Sequence, residues 1–281
     1  MKLIVVLCCC FTMTLAQQKV KTDCNTIYLC IDSTAYNAIV SNSLIKNKLF
    51  VCRANATKTD TDAYEANYLI GKSATIEFLQ PQKGSTIGDH IGDFGIEFKT
   101  RQLGNLTTIL KQSKKHSFEA DTITNKLITA DTIVPWYKEL AFKENNFELS
   151  LLEYQSEYLN YLGFSPEQIT QEMTYEAYNA HRSGGQKYPR QFNKILSVTI
   201  ELNSKELKSL KKFCLLNQMT KSKNSFQNKE FKIVYQLSDV KTRLREIAIE
   251  FLEPQSNESI QLTDSLTLEI AGTTGRFIFN Q

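Results

Sequence analysis

The stretch 25–32 contains Thr-Ile-Tyr-Leu-Cys-Ile, a run of mostly apolar residues of the right length for one buried strand. Asp32 or Ser33 can cap a following helix, on which Tyr36, Val40 and Leu44 share one face. Segments 49–57, 64–70 and 75–79 are rich in β-branched and aromatic residues, and Gly71 and Pro81 punctuate them. They predict three strands. The first unit is therefore strand, helix, strand, strand, strand.

The pattern restarts at 93–100, where Phe94-Gly95-Ile96-Glu97-Phe98 reads as a strand. Leu103, Leu106 and Leu110 give a short helical stripe, and 117–124, 135–142 and 147–152 predict strands. Pro135 puts its strand's start there or at a sheet edge. Segment 156–194 breaks the rhythm. Ser165-Pro166-Glu167-Gln168 has serine as cap, proline at the first helical position and glutamine closing a capping box. His181-Arg182-Ser183-Gly184-Gly185 reads as a helix end running into a loop, or as an anion grip using Arg182 and loop amides. A third unit opens at 195–202. Asn203 and Glu206 cap a helix carrying Leu207, Leu210 and Cys214, and strands are expected at 231–237, 246–252, 266–270 and 275–279.

An internal echo binds these units together. Ile76-Glu77-Phe78-Leu79-Gln80-Pro81-Gln82 returns as Ile249-Glu250-Phe251-Leu252-Glu253-Pro254-Gln255, with only the fifth residue changed. Repetition of this kind marks a recurring structural unit. It predicts that the two heptapeptides are the same late strand of two copies.

Composition narrows the classes. The net charge of +3 comes from Lys and Arg spread evenly along the chain, so no nucleic-acid footprint or polybasic membrane patch is expected. Lys2, the apolar run 3–15 and Thr14-Leu15-Ala16 form an export signal cleaved before Gln17. The rival, acylation at Cys8, Cys9 or Cys10, lacks the small residue expected in front, because Leu7 precedes Cys8. No later stretch has spanning length, so no integral membrane segment is expected. The expected location is periplasmic or extracellular, as a monomer or homodimer. Cys24, Cys30, Cys52 and Cys214 remain after cleavage. Their even number permits disulfides in an exported chain, but the apolar settings of Cys30 and Cys214 favour buried free thiols.

Consecutive strand-helix-strand-strand-strand units of this length resemble the vicinal-oxygen-chelate superfamily, which includes glyoxalase I, bleomycin-resistance proteins and extradiol dioxygenases. Asn25-Thr26-Ile27-Tyr28-Leu29-Cys30-Ile31-Asp32 carries the resemblance for the opening strand, and Thr75-Ile76-Glu77-Phe78-Leu79-Gln80-Pro81 carries it for the closing strand. The resemblance implies an α+β fold in which paired units form cupped mixed sheets. It divides the chain into a signal at 1–16, a paired domain at 24–155, a helical linker at 156–193 and a third, smaller unit at 194–281. Metal-bearing members take ligands from the opening strands and from a Glu near the last strand. The matching positions here are Thr26, Asp93 and Ser197, and Glu77, Glu148 and Glu250. No His or Gln stands at an opening position.

Three carboxylates, Glu77, Asp93 and Glu148, with His90 nearby, form the candidate centre. They could hold a hard divalent cation such as Mg²⁺, Mn²⁺ or Ca²⁺. Crowding could instead make Glu77 a general base with His90 as proton donor. A third possibility is that the glutamates face solvent on half-exposed strands and that Asp93 is a turn residue. Trp136 and Tyr137 are candidate ligand-binding walls beside Thr26, or core residues. The leading expectation is an exported protein that binds a small molecule in a cupped sheet. A lyase, isomerase or hydrolase using the carboxylates, and an envelope interaction protein that recruits a partner through its third unit, are the alternatives.

Overall fold

The computed structural model describes residues 20–116, 122–184 and 190–280. The export signal at 1–16, Gly185 and the first part of the strand expected at 117–124 lie outside the described residues. The first unit comprises β1 (Thr22–Cys30), α1 (Ser33–Ser41), β2 (Val51–Lys58), β3 (Ala63–Ile70) and β4 (Thr75–Leu79). Asp32 caps α1, its carboxylate accepting the Ala35 N–H at 2.9 Å. The helix buries Ala35 and Ile39 rather than the expected Tyr36–Val40–Leu44 stripe. Small Ala35 permits close approach, and a π-helical turn at Ile45–Leu49 buries Ile45 and Leu49 in the same core.

The second unit repeats the order as β5 (Phe94–Thr100), α2 (Asn105–Lys115), β6 (Ile123–Ile128), β7 (Ile133–Lys143) and β8 (Phe147–Tyr154). The two units join into one eight-stranded sheet of order β2-β3-β4-β1-β5-β8-β7-β6. Each opening strand runs parallel to its unit's last strand, β1 with β4 and β5 with β8, and the units meet through the antiparallel pair β1–β5. Pro135 lies neither at a strand start nor at an edge. It sits inside β7, where the pairing steps from Asn125↔Tyr137 to Lys126↔Pro135 and leaves Trp136 as an extra residue. A bulge is one of the few interior places that tolerates a missing N–H.

Segment 156–193 folds as three short helices, α3 (Ser156–Tyr161), α4 (Pro166–Thr170) and α5 (Tyr175–Arg182). Ser165 and Gln168 form the expected reciprocal cap of α4. Beyond it come β9 (Phe192–Leu202), α6 (Glu206–Leu216), β10 (Thr220–Ser222), β11 (Ser225–Gln227), β12 (Lys232–Leu237), β13 (Arg243–Thr263) and β14 (Leu266–Phe279). They make a six-stranded sheet of order β10-β11-β12-β9-β13-β14. The strands expected at 266–270 and 275–279 are one strand, paired along the long hairpin with β13.

This topology corrects the reading of the echo. Ile76–Leu79 lies on β4, which runs parallel to its opening strand. Ile249–Leu252 lies on β13, which runs antiparallel to β9 and corresponds in position to β5. The true counterpart of β4 is β12, which is parallel to β9 and has an unrelated sequence. Both heptapeptides enter the core at Ile and Phe, and that shared burial pattern, rather than common position, is what they have in common.

Alternation sends the apolar residues of the first sheet to one face. Ile27, Leu29, Ile76, Phe78, Phe94, Ile96, Phe98, Phe147, Leu149 and Leu151 share a continuous core with the second sheet and α6. Phe50 bridges the sheets, with ring centroids 5.2 Å from Phe192 and 5.8 Å from Phe277. The opposite face of the first sheet carries polar and ring side chains and forms the floor of the site.

Candidate functional site

The floor can be followed residue by residue through the pairing register. Across one row lie Tyr68, Glu77, Tyr28, Gly95, Glu148 and Lys143, on β3, β4, β1, β5, β8 and β7. The next row holds Ile70, Thr75, Thr26, Glu97, Ser150 and Ala141. Gly95 is required here. A Cβ at this position would stand 2.1 Å from the Tyr28 ring, which lies across the strand. An irregularity between Cys24 and Thr26 makes Asn25 an extra residue in β1, and Asn25 and Thr26 both line the trough.

Two adjoining hollows of about 230 Å³ and 160 Å³ occupy the trough and share Tyr64, Glu77, Glu97 and Tyr137. Rings wall the larger one: Tyr64, Tyr68, Trp136, Tyr137, Tyr154, Tyr158, Tyr175 and Tyr178. The linker supplies the last three, so it roofs the site rather than merely joining two domains. It is tied down at several points. The Tyr175 hydroxyl bonds the Thr75 hydroxyl at 3.1 Å, the Tyr175 N–H donates to Asp23, and the Met173 N–H donates to the Arg101 carbonyl. Arg101 in turn pairs with Asp23 at 2.6 Å and Glu172 at 3.1 Å.

Four glutamates stand in the trough. Burial pushes Glu77 up to about 7, and a Tyr68 hydrogen bond partly offsets the rise. Glu97 is driven well above the usual range by burial, then by the charges of Glu77, Glu139 and Glu148. Glu148 rises to about 8, first through burial and then through its neighbour Glu139, with Lys143 opposing at 3.3 Å. Glu139 accepts a hydrogen bond from Asn125 at 3.3 Å. Buried, mutually repelling carboxyls keep their protons to higher pH because the charged forms are poorly solvated.

A buried base lies behind the ring wall, outside both hollows. Lys99 follows Glu97 by two residues on β5 and is only 2% exposed. Its ammonium faces the rings of Tyr178, Tyr154 and Tyr175 at 4.8, 4.9 and 5.6 Å. Burial lowers it to about 7 despite these rings and the favourable charge of Asp23.

Of the residues singled out in the sequence, the structure brings Thr26, Glu77, Trp136, Tyr137 and Glu148 to the trough. Glu77 and Glu148 share a face, but three strand spacings separate them, roughly 14 Å of backbone. Asp93 and His90 do not line the trough. The Asp93 carboxylate accepts the Gly88 and His90 N–H groups and closes the loop before β5, while the His90 side chain is 63% exposed. Glu250 lies in the second sheet, bonded to Asn193. Sequence reasoning missed Glu97, Glu139, Lys99 and the roof tyrosines. The metal site that the resemblance implied does not fit these residues. Thr26 stands at an opening position and, among the described residues, no three His, Cys, Asp or Glu side chains converge as a ligand set.

Fold and site together define an α+β protein of paired strand-helix-strand units with a roofed, acid-floored trough. Residues 24–279 match the family of unknown function DUF5829, and the chain belongs to that family. A search of curated proteins finds no match. Several solved structures are similar at low identity. One is a fusion of a xylose isomerase-like TIM barrel with 4-hydroxyphenylpyruvate dioxygenase, at 11% identity and TM-score 0.45; the match covers 77% of this chain and 32% of that one. A Mn(II)-bound glyoxalase from Novosphingobium aromaticivorans matches at 6% identity and TM-score 0.44, covering 91% and 81%. A 2,3-dioxygenase from Pseudomonas sp. KL28 matches at 9% and 0.41, covering 90% of each chain. Among the described residues, no helix is long and apolar enough to cross a membrane.

Proposed function

We propose that this chain is an exported protein that binds a small molecule in the trough of its first sheet. The observation that carries this reading is the trough itself, a hollow lined by rings and buried carboxyls and roofed by a separate pinned segment. Side chains packed only for stability would fill such a space with apolar atoms, because buried carboxyls cost stability. A concave site with a few convergent polar groups is the usual form of a ligand pocket. A thermal-shift screen against metabolites and divalent cations tests the reading, since a ligand specific for the folded state raises the melting temperature. A Trp136→Phe variant that keeps its fold and its shift profile would point to binding elsewhere. Export is tested by the N-terminus of the secreted protein, expected at Gln17.

One observation favours a catalytic second reading. Glu77, held near 7, is poised to exchange protons at neutral pH. His90 is not its partner in that reading, because it does not line the trough. A turnover that disappears in Glu77→Gln while binding persists would separate catalysis from simple capture.

A further inference from the structure

We propose that the ligand is an organic ammonium ion, a primary or alkylated amine, held at the acidic end of the trough between Glu97, Glu77 and the Glu139–Glu148 pair. This rests on the small-molecule reading above and names the chemistry of that same site.

The charges facing this end are unbalanced. Asp62, Glu77, Asp89, Glu97, Glu139 and Glu148 line the smaller hollow, and among the described residues Lys143 is the one basic side chain in its lining. Asp89 is already satisfied by Gln82 and Thr86. Lys143 sits at the rim, its side chain 56% exposed, and pairs with Glu148 at 3.3 Å. The two lining arginines, Arg53 and Arg182, belong to the other hollow. A guest amine therefore enters a region short of positive charge, and Arg53 and Arg182 leave the far end suited to an anionic group on the same guest.

The uncharged groups agree. Tyr28, Tyr64 and Tyr137 line the acidic hollow, and aromatic faces attract ammonium groups, alkylated ones included. Asn25, only 2% exposed, lines the larger hollow beside the shared Glu77 and Glu97, donates from Nδ2 to the Thr26 hydroxyl and leaves Oδ1 without a donor where the two hollows adjoin. An unpaired buried acceptor calls for an N–H donor, and an ammonium supplies several. A bare divalent ion is a poor alternative, since the carboxyls do not gather as a ligand set among the described residues. The hollow of about 160 Å³ has room for roughly five waters, and so for a guest of comparable size, at about 30 Å³ each.

Glu77 and Glu148 keep protons near neutral pH, and an incoming cation would displace them. Binding should therefore release protons and strengthen as the pH rises from about 6 to about 8.5. Over that range Glu77 and Glu148 give up their protons, and Lys99 behind the ring wall gives up its own, so a Lys99→Met variant that keeps the pH dependence assigns it to the carboxyls. Burial holds Tyr28, Tyr64 and Tyr137 well above their ordinary range, so they stay neutral.

Trp136 is the sole tryptophan of the chain and lines the trough, so its fluorescence reports occupancy. The experiment titrates putrescine, choline and benzylamine, their neutral isosteres 1,4-butanediol and benzyl alcohol, a panel of anionic metabolites, and MgCl₂, CaCl₂ and MnCl₂. Thermal shift is followed alongside. The expected result is saturable binding of at least one amine, at least tenfold weaker binding of its neutral isostere, and at least a tenfold loss in Glu97→Gln. Glu139→Gln provides the same comparison should Glu97→Gln fail to fold. Isosteres that bind as tightly as amines, variants with unchanged amine affinity, or saturation by neutral, anionic or metal ligands alone would overturn the ammonium assignment and leave a small-ligand site standing. No response to any class would overturn both.

Discussion

Replacing Glu77 by glutamine should stabilise the protein, and do so only at neutral and alkaline pH. Glu77 is 8% exposed on the floor of the trough, and its carboxyl rises from 4.5 to about 7 on folding. An acid whose folded value is raised keeps its proton longer in the folded chain than in the unfolded one. Stability is therefore highest below about 4.5, falls through the interval to about 7, and stays reduced above it. At about 1.36 kcal/mol per pH unit, the loss comes to roughly 3 kcal/mol. Glutamine has the shape of the protonated acid and carries no charge to bury. It should also relieve Glu97, which Glu77 pushes upward. Urea unfolding of both proteins at pH 4.5 and pH 8.5 measures the effect. The two should agree within about 0.5 kcal/mol at the lower pH, and the variant should lead by roughly 3 kcal/mol at the higher. An advantage of equal size at both pH values, or a variant less stable at pH 8.5, would refute the argument that burial of a charged Glu77 is the cause.

Other outcomes follow from the same physics. Lys99→Met should gain about 4 kcal/mol at or below pH 7. The lysine's lowered value means the cost of its charge is complete below about 7 and vanishes toward 10.5; a denaturation series across pH 6–10 that keeps the wild-type slope would contradict it. Gly95→Ala places a methyl against the Tyr28 ring, and about 1–3 kcal/mol of overpacking should appear in thermal melts together with lost ligand response. Arg101→Met unties Asp23 and Glu172, so amide exchange in α5 should quicken and stability fall by about 1–3 kcal/mol, while the second sheet keeps its protection. All four cysteines of the described residues are free. Burial pushes Cys30 up to about 12 and Cys52 up to about 11, and it raises Cys24 and Cys214 strongly. Native protein should therefore react slowly with maleimide, half-exposed Cys52 leading, and label fully only in denaturant.

The units themselves were legible. Dense β-branched and aromatic runs marked β4 to the residue, and Asp32, Ser165 with Gln168, and Asn203 with Glu206 capped the helices as read. Partner choice was not legible, because a strand's own residues specify which face is buried but not which strand lies beside it. That is why two like heptapeptides occupy unlike places. The site was half legible for a related reason. Alternation showed that Glu77 opposes Ile76 and Phe78, yet a polar face looks the same whether it meets solvent or a roof. Glu97 and Lys99 stood in plain view on a strand whose other face is Phe94, Ile96 and Phe98. The stronger missed signal was the set of tyrosines at helical spacing, Tyr154 with Tyr158 and Tyr175 with Tyr178. They should have marked the segment after β8 as a wall of the site.

The pinned roof has a consequence for the acid chemistry below it. Water is kept from Glu77 and Glu97 partly by side chains some 60 to 100 positions further along the chain. A protein stripped of the roof rings Tyr158, Tyr175 and Tyr178 would retain every carboxyl and every floor strand. Its trough would flood, and those carboxyls would relax toward ordinary acid strength. The acidity of the floor is therefore tuned from a distance, and substitutions at Tyr175 or Tyr178 become changes in the proton affinity of glutamates they do not adjoin in sequence.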